Sequence, residues 1–212
     1  MKKEKITFYD TFYLFIFGCI FGWIVELIWS LLKKQMIINH SALVLGPFNI
    51  VYGIGAVVLS LLLYKIKDSN YLKIFITSFF AGSILEYILS FLMEHILGFV
   101  AWNYSAKFMN INGRICLLYS IFWGILGIVW IKVIYPRVKN CINSSNHEIG
   151  FKLIKVISIF LLFDVSLTFA AVNRAKEFEL GIEPSNKFEI VLDHYFGVNY
   201  LNNMYNYRWN KK

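Results

Sequence analysis

The stretch FYLFIFGCIFGWIVELIWSLL, residues 12–32, decides the fold class. Its twenty-one residues contain one acidic or basic residue, Glu26. A helix of about 20 apolar residues crosses a hydrocarbon layer, and in lipid every backbone N–H and C=O must be satisfied within the segment, so the stretch predicts a membrane-spanning helix. No small-residue cleavage site follows it, so it reads as a retained span and not as a signal peptide. Four more blocks repeat the pattern: Ala42 to Tyr64, interrupted near its start by Gly46-Pro47, then Ile74 to Leu97, Ile115 to Tyr135 and Leu153 to Val172. The expected fold is an all-α integral membrane protein of about five transmembrane helices. Residues 1–172 form one transmembrane domain, and residues 173–212 form a polar, aromatic C-terminal tail.

Composition agrees. The 212 residues are 58% apolar and 16% charged, against roughly 45–50% and about 25% in soluble domains. The net charge of +8 sits at helix ends and comes with no nucleic-acid-binding motif, so the expected partner is the lipid bilayer. Lys2, Lys3, Lys5, Lys65, Lys67, Lys73, Lys132, Arg137, Lys139, Lys152 and Lys155 fall on the N-terminal side, and only Lys33, Lys34, Lys107 and Arg114 in the short loops opposite. Basic residues favour the cytoplasm, which predicts a multi-pass protein of the cell membrane with its N-terminus inside and its C-terminus outside. In the tail, Phe188, Val191, Leu192, Tyr195 and Phe196 share one helical face, as a helix lying on the membrane surface or a packed tail would. Cys19, Cys116 and Cys141 show neither disulfide nor zinc spacing. His40, His95, His147 and His194 form no metal motif, so no metal and no cofactor is expected.

The chain repeats itself. At an offset of sixty, Phe15, Ile16, Gly22, Ile24, Glu26, Ile28, Ser30 and Leu32 match Phe75, Ile76, Gly82, Ile84, Glu86, Ile88, Ser90 and Leu92, eight identities between positions 15 and 32. Further on, Gly46, Tyr52 and Ile54 match Gly113, Tyr119 and Ile121. This predicts two parallel two-helix repeats, about 12–64 and 72–135, plus one added helix, about 153–172.

Glu26, Glu86, Glu94, His95 and Asp164 fall within spans, where ionisable groups are costly and face other helices or water. In the first helix Gly18, Gly22, Glu26 and Ser30 follow at steps of four; in the third Gly82, Glu86, Ser90 and Glu94 do the same. Steps of four trace one slowly turning stripe, and small residues let helices approach closely, so both acids ride on packing faces. Gly46-Pro47 suits a helix start, with the residues from Ala42 onward dipping into the membrane before it. Asn110-Ile111-Asn112-Gly113-Arg114 has turn chemistry, and Arg114 is the nearest cationic partner for the carboxylates. Glu26, Glu86, Glu94, Arg114, Asn112 and Tyr52 are the candidate substrate or ion-site residues, framed by Gly18, Gly22, Gly46, Pro47, Gly82, Ser90 and Gly113.

From about Phe12 to Pro136 the chain resembles the ABC-transporter type IV permease family, a bacterial family. The resemblance rests on Gly22-Trp23 with Glu26, Gly46-Pro47-Phe48 with Tyr52-Gly53, Glu86-Tyr87 with Glu94, Trp102 with Tyr104-Ser105, and Asn110 with Asn112-Gly113-Arg114-Ile115-Cys116-Leu117. It departs from the family pattern at His40-Ser41-Ala42, at Asn49-Ile50 and at Asn103. The resemblance implies a transporter permease, and because the chain has no Walker A motif any ATPase is a separate cytoplasmic chain. The leading expectation is a transport subunit, alone or as a homo-oligomer, with a polar site between the repeats. An intramembrane enzyme using the buried carboxylates and a non-catalytic membrane partner or regulator are the alternatives.

Single cysteines replacing His147 and Ser185 on a Cys-free background test the orientation. An impermeant thiol reagent added outside is expected to label position 185 and spare 147; the opposite pattern reverses the topology.

Overall fold

A computed structural model describes residues 6–34, 41–97 and 102–205. Lys2, Lys3, Lys5, His40 and the tail beyond Tyr205 lie outside the described residues, as do the side chains of Lys33 and Lys34. The chain is a multi-pass, all-helical membrane protein. Its helices are α1 (Phe8–Lys34), α2 (Ile50–Leu63), α3 (Tyr71–Leu97), α4 (Leu117–Val129), α5 (Tyr135–Ser144), α6 (His147–Glu179), α7 (Lys187–Phe196) and α8 (Val198–Tyr205). Four spans are long and apolar enough to cross a bilayer: Phe8–Leu32, Tyr71–Ile96, Leu117–Ser144 and His147–Glu179. The fifth apolar helix, Ile50–Ile66, is shorter, because residues 42–49 of the second block are not helical.

Helices extend further than hydropathy suggests at the N-terminal end. The connection expected from Pro136 to Lys152 is mostly helix. A π turn at Trp130–Ile134 joins α4 to α5, and Pro136 stands in the first turn of α5, where its missing N–H is tolerated. Asn146 then caps α6, its side chain accepting from the amides of Glu148 (2.9 Å) and Ile149 (3.2 Å). Lys139 pairs with the buried Asp10 at 2.6 Å and ties α5 to α1.

α1 pairs with α2 and α3 with α4, while α2 also packs on α3. The small-residue stripes face inward: Gly18, Gly22, Ser30, Gly82, Glu86 and Ser90 are buried and Glu26 is half-buried. The lipid-facing stripes of α1 and α3 obey the same offset of sixty, Ile20, Ile24 and Ile28 against Phe80, Ile84 and Ile88.

The hairpins share their contacts too, in a register the sequence did not disclose. Phe15 packs on Gly53 and Phe75 on Gly124; Gly18 meets Ala56 and Ser78 meets Gly127; Gly22 lies under Tyr52 and Gly82 under Trp123. Across α2 and α4 these pairs run at an offset of 71 (Tyr52 to Trp123, Gly53 to Gly124, Ala56 to Gly127). The matched Gly46 and Gly113 both hold left-handed backbone, φ +72° and +67°, but lie only 67 apart. The expected match of Tyr52 with Tyr119 is therefore one helical turn out of register, and Trp123 is the counterpart of Tyr52.

α6 borders the bundle and exposes Val156, Ile159, Leu162, Phe163 and Phe169. The tail is not a free surface strand. Leu192 of α7 and Leu201 of α8 are buried with Val44, Ala171, Val172 and Ala175, and Phe196 packs on them. Phe188, Val191 and Tyr195 face outward. Arg174 locks the turn, donating twice to Asp193 at 2.9 Å and once to the Ile182 carbonyl at 3.0 Å.

A β-carbon at Gly22 would sit 2.1 Å from Tyr52 Cγ, and one at Gly82 would sit 2.3 Å from Trp123 Cγ. Gly22→Ala and Gly82→Ala are each expected to destabilise the protein by about 1–3 kcal/mol through overpacking. Thermal unfolding in detergent measures it, and unchanged midpoints would contradict the close approach.

Candidate functional site between the hairpins

Each hairpin brings one glutamate against an aromatic donor from its returning helix. The Tyr52 hydroxyl donates to Glu26 Oε1 at 2.8 Å. The Trp123 indole N–H donates to Glu86 Oε2 at 3.1 Å. The glycine beneath each ring lets it lie flat enough to reach the carboxylate one turn on. Glu86 receives a second donor from the loop before α4, the Tyr104 hydroxyl, at 2.9 Å. Tyr104 stacks on Tyr119 with ring centroids 4.5 Å apart. Burial, then the neighbouring Glu86 carboxylate, pushes the Tyr104 phenol far above its usual range, so it stays a proton donor at any physiological pH.

The two acids share neighbours: Tyr52 and Tyr119 lie close to both carboxylates. Among the described residues no ion pair reaches either carboxylate. Arg114 is committed elsewhere: it pairs with Glu94, donates to Ser90 Oγ at 3.3 Å, and lies 5.5 Å from the Phe91 ring centroid and 5.8 Å from that of Tyr87. The expectation that Arg114 serves the carboxylates thus holds for Glu94, while Glu26 and Glu86 are met by neutral donors.

The loop from Trp102 to Cys116 holds these donors in place. Met109 and Asn112 have positive φ and Gly113 follows them, which closes the turn bridged by Ile111 and Ile115. A β-carbon on Gly113 would meet Ser105 Oγ at 2.6 Å. The Tyr104 amide donates to the Gly113 carbonyl at 2.7 Å, and the Trp102 indole to the Arg114 carbonyl at 2.9 Å. Asn112 lies outside the cluster and donates to the Tyr87 hydroxyl at 2.9 Å. Gly46 and Pro47 belong to the other loop, just before α2. Below Tyr52 and Trp123, Gly18, Gly55, Ala56 and Trp130 line a cavity of about 20 Å³, room for one water at most. His95 bonds to its own helix, its Nδ1 lying 2.8 Å from the Phe91 carbonyl, and among the described residues no group of acids, histidines and cysteines could hold a metal.

Residues 13–169 match the model of a family described as putative ABC-transporter type IV. The chain belongs to the ABC-transporter type IV family. The match covers both hairpins and α6 as far as Phe169, and so the whole acidic and aromatic cluster of this family member. No curated protein and no solved structure matches the chain.

Sequence reasoning missed Tyr104, Tyr119 and Trp123 as site residues. Tyr104 and Tyr119 were visible as aromatics beside the family motifs, but Trp123 is disclosed only by the shifted register. Tyr104→Phe leaves a buried carboxylate oxygen short of a donor and is expected to cost about 1–3 kcal/mol. For the part-buried Arg114–Glu94 pair, Arg114→Gln and Glu94→Gln are expected to couple by about 0.5–3 kcal/mol in a double-mutant cycle of unfolding free energies. Additive losses would show that the pair is only a surface contact.

Proposed function

We propose that this protein is the membrane-spanning permease subunit of an ABC-type transporter, and that the cluster between its hairpins handles a substrate or coupling ion. Carrying this reading is the like placing of two glutamates in two like hairpins, each held by neutral donors, with no basic partner among the described residues. Acids placed inside a membrane without cations are expensive, and they mark ion or substrate pathways in membrane proteins. Sites of this kind lie at the interface of structural repeats, where rocking of one repeat against the other exposes them to alternate sides. The near absence of free volume beneath Tyr52 and Trp123 fits that mechanism, since passage then requires the hairpins to separate.

Energy would come from a separate cytoplasmic ATPase chain. With the N-terminus inside, that chain would meet the end built from α5, the start of α1 and the Tyr64–Tyr71 connection. This end exposes Lys65, Arg137 and Lys132, and Lys132 bonds to the Lys67 carbonyl at 2.6 Å. The apolar outer faces of α1, α3 and α6 would contact lipid of the cell membrane or a second copy of the chain.

Mild extraction from the native membrane, followed by identification of co-purifying chains, tests the proposal. A stoichiometric partner carrying a nucleotide-binding motif, with vanadate-sensitive ATP hydrolysis in the complex, is the expected result. Recovery of the protein without any such chain, even after cross-linking in the membrane, would contradict it.

A further inference from the structure

The one-turn difference between the hairpins has a physical consequence for the segment before α2. α2 and α4 both begin four residues after the paired glycines, Gly46 to Ile50 and Gly113 to Leu117. Their contacts, however, run at 71 and not 67. α2 therefore starts one helical turn deeper than α4, about 6 Å at the helical rise. Residues 41–49 must follow it down without being helical, and the amide of Asn49 donates at 3.1 Å to the carbonyl of Cys19, near the middle of α1.

Non-helical backbone at that depth persists only where protein groups satisfy it. Within the segment the Ala42 amide donates to the Phe48 carbonyl at 2.8 Å. Ser41 Oγ donates to the Leu43 carbonyl at 2.7 Å, and further partners come from outside the hairpins. Thr168 Oγ1 accepts from the Val44 amide and Asp164 Oδ1 from the Leu45 amide, each at 3.0 Å. Tyr200 donates to the Val44 carbonyl at 2.9 Å. Asp164 is thus the α6 clamp on the segment. It lies midway along α6, about 25 Å from either end, and is wholly buried. Its second oxygen, Oδ2, is buried and has no hydrogen-bond partner among the described residues.

Among the described residues, the charges near Asp164 are already used. The segment itself carries no ionisable side chain from Ser41 to Asn49. α8 presents Tyr200, the titratable neighbour on which Asp164 acts. α3 brings Met93 to the adjoining apolar cluster, and its Glu94 is paired with Arg114. α7 brings Asp193, which is paired with Arg174, and Arg174 also pairs with Glu177. An ionised Asp164 would be a buried charge with no cationic partner among the described residues. A neutral acid keeps a carbonyl-type oxygen for the Leu45 amide and carries no charge.

We propose that Asp164 is a proton-binding site that holds a proton on Oδ2 while residues 41–49 are docked, and that release of this proton to water undocks the segment from α6. The O–H bond at Oδ2 breaks, the proton passes to water and the carboxylate remains; no electrons move. Tyr52 stands three residues after Asn49, so the protonation state of Asp164 would reach the Glu26 donor through the start of α2. The site stands on its own geometry, whatever the transported substrate.

Hydrogen exchange of the peptide covering residues 41–49, in lipid nanodiscs at several pH values and corrected for intrinsic exchange, tests the site. The wild-type segment is expected to be protected at low pH and to lose at least tenfold of that protection as pH rises. Asp164→Asn keeps the acceptor without the charge and is expected to stay protected at every pH. Asp164→Ala removes the acceptor and is expected to be unprotected throughout; should it fail to fold, the wild type and Asp164→Asn suffice. An infrared carboxylic-acid band lost in Asp164→Asn would identify the proton directly. The proposal is overturned by wild-type protection that ignores pH, by Asp164→Asn titrating like the wild type, or by protection that tracks sodium concentration.

Discussion

Lipid offers no hydrogen bonds, and that constraint shapes this protein. Every polar group below the surface has to be satisfied by the protein itself, within its own helix or on another element. Glu26 and Glu86 find aromatic donors across their own hairpins. Glu94 finds Arg114. The open backbone before α2 finds Asp164, Thr168 and Tyr200. Close helix approach makes these bonds reachable, and the glycines at 22 and 82 permit it, because any side chain there would collide with the ring that donates to the acid one turn on.

From this follows a division of labour. The hairpins are near copies, and each carries an acid, a glycine and an aromatic donor in the same arrangement. Their loops are not copies. The second hairpin's loop supplies its own donor through Tyr104 and closes on itself around Gly113. The first hairpin's segment runs deeper and depends on α6 and α8. The added helix therefore does more than fill a space in the membrane: it supplies acceptors to the non-helical stretch before α2. Function in the proposed reading lies where the copies meet, and asymmetry enters from the elements that have no counterpart.

Much of this was legible in the sequence. Apolar block length gave the spans, and the four-residue spacing of Gly, Glu and Ser placed both acids on buried faces, because composition and periodicity act locally. The break in helix around Gly46-Pro47 was legible from proline and glycine chemistry. Three features were not. The register between α2 and α4 depends on which ring packs over which glycine, and Tyr52 and Trp123 share no identity that an alignment would reward. Helix continuing past Pro136 depends on a π turn that no residue preference announces. Asp164 looked like one more intramembrane acid, since its partner Leu45 lies 119 positions away, and Tyr200, which holds the same segment, lies 156 positions from the Val44 carbonyl it meets.

The central claim is that Glu26 and Glu86 share one interior between the hairpins. A double-mutant cycle on unfolding free energy with Glu26→Gln, Glu86→Gln and the pair measures this most directly. Shared surroundings predict non-additive effects, with a coupling of about 0.5–3 kcal/mol, because neutralising one acid relieves the other. Effects that add to within about 0.5 kcal/mol would place the two carboxylates in separate environments and contradict the account.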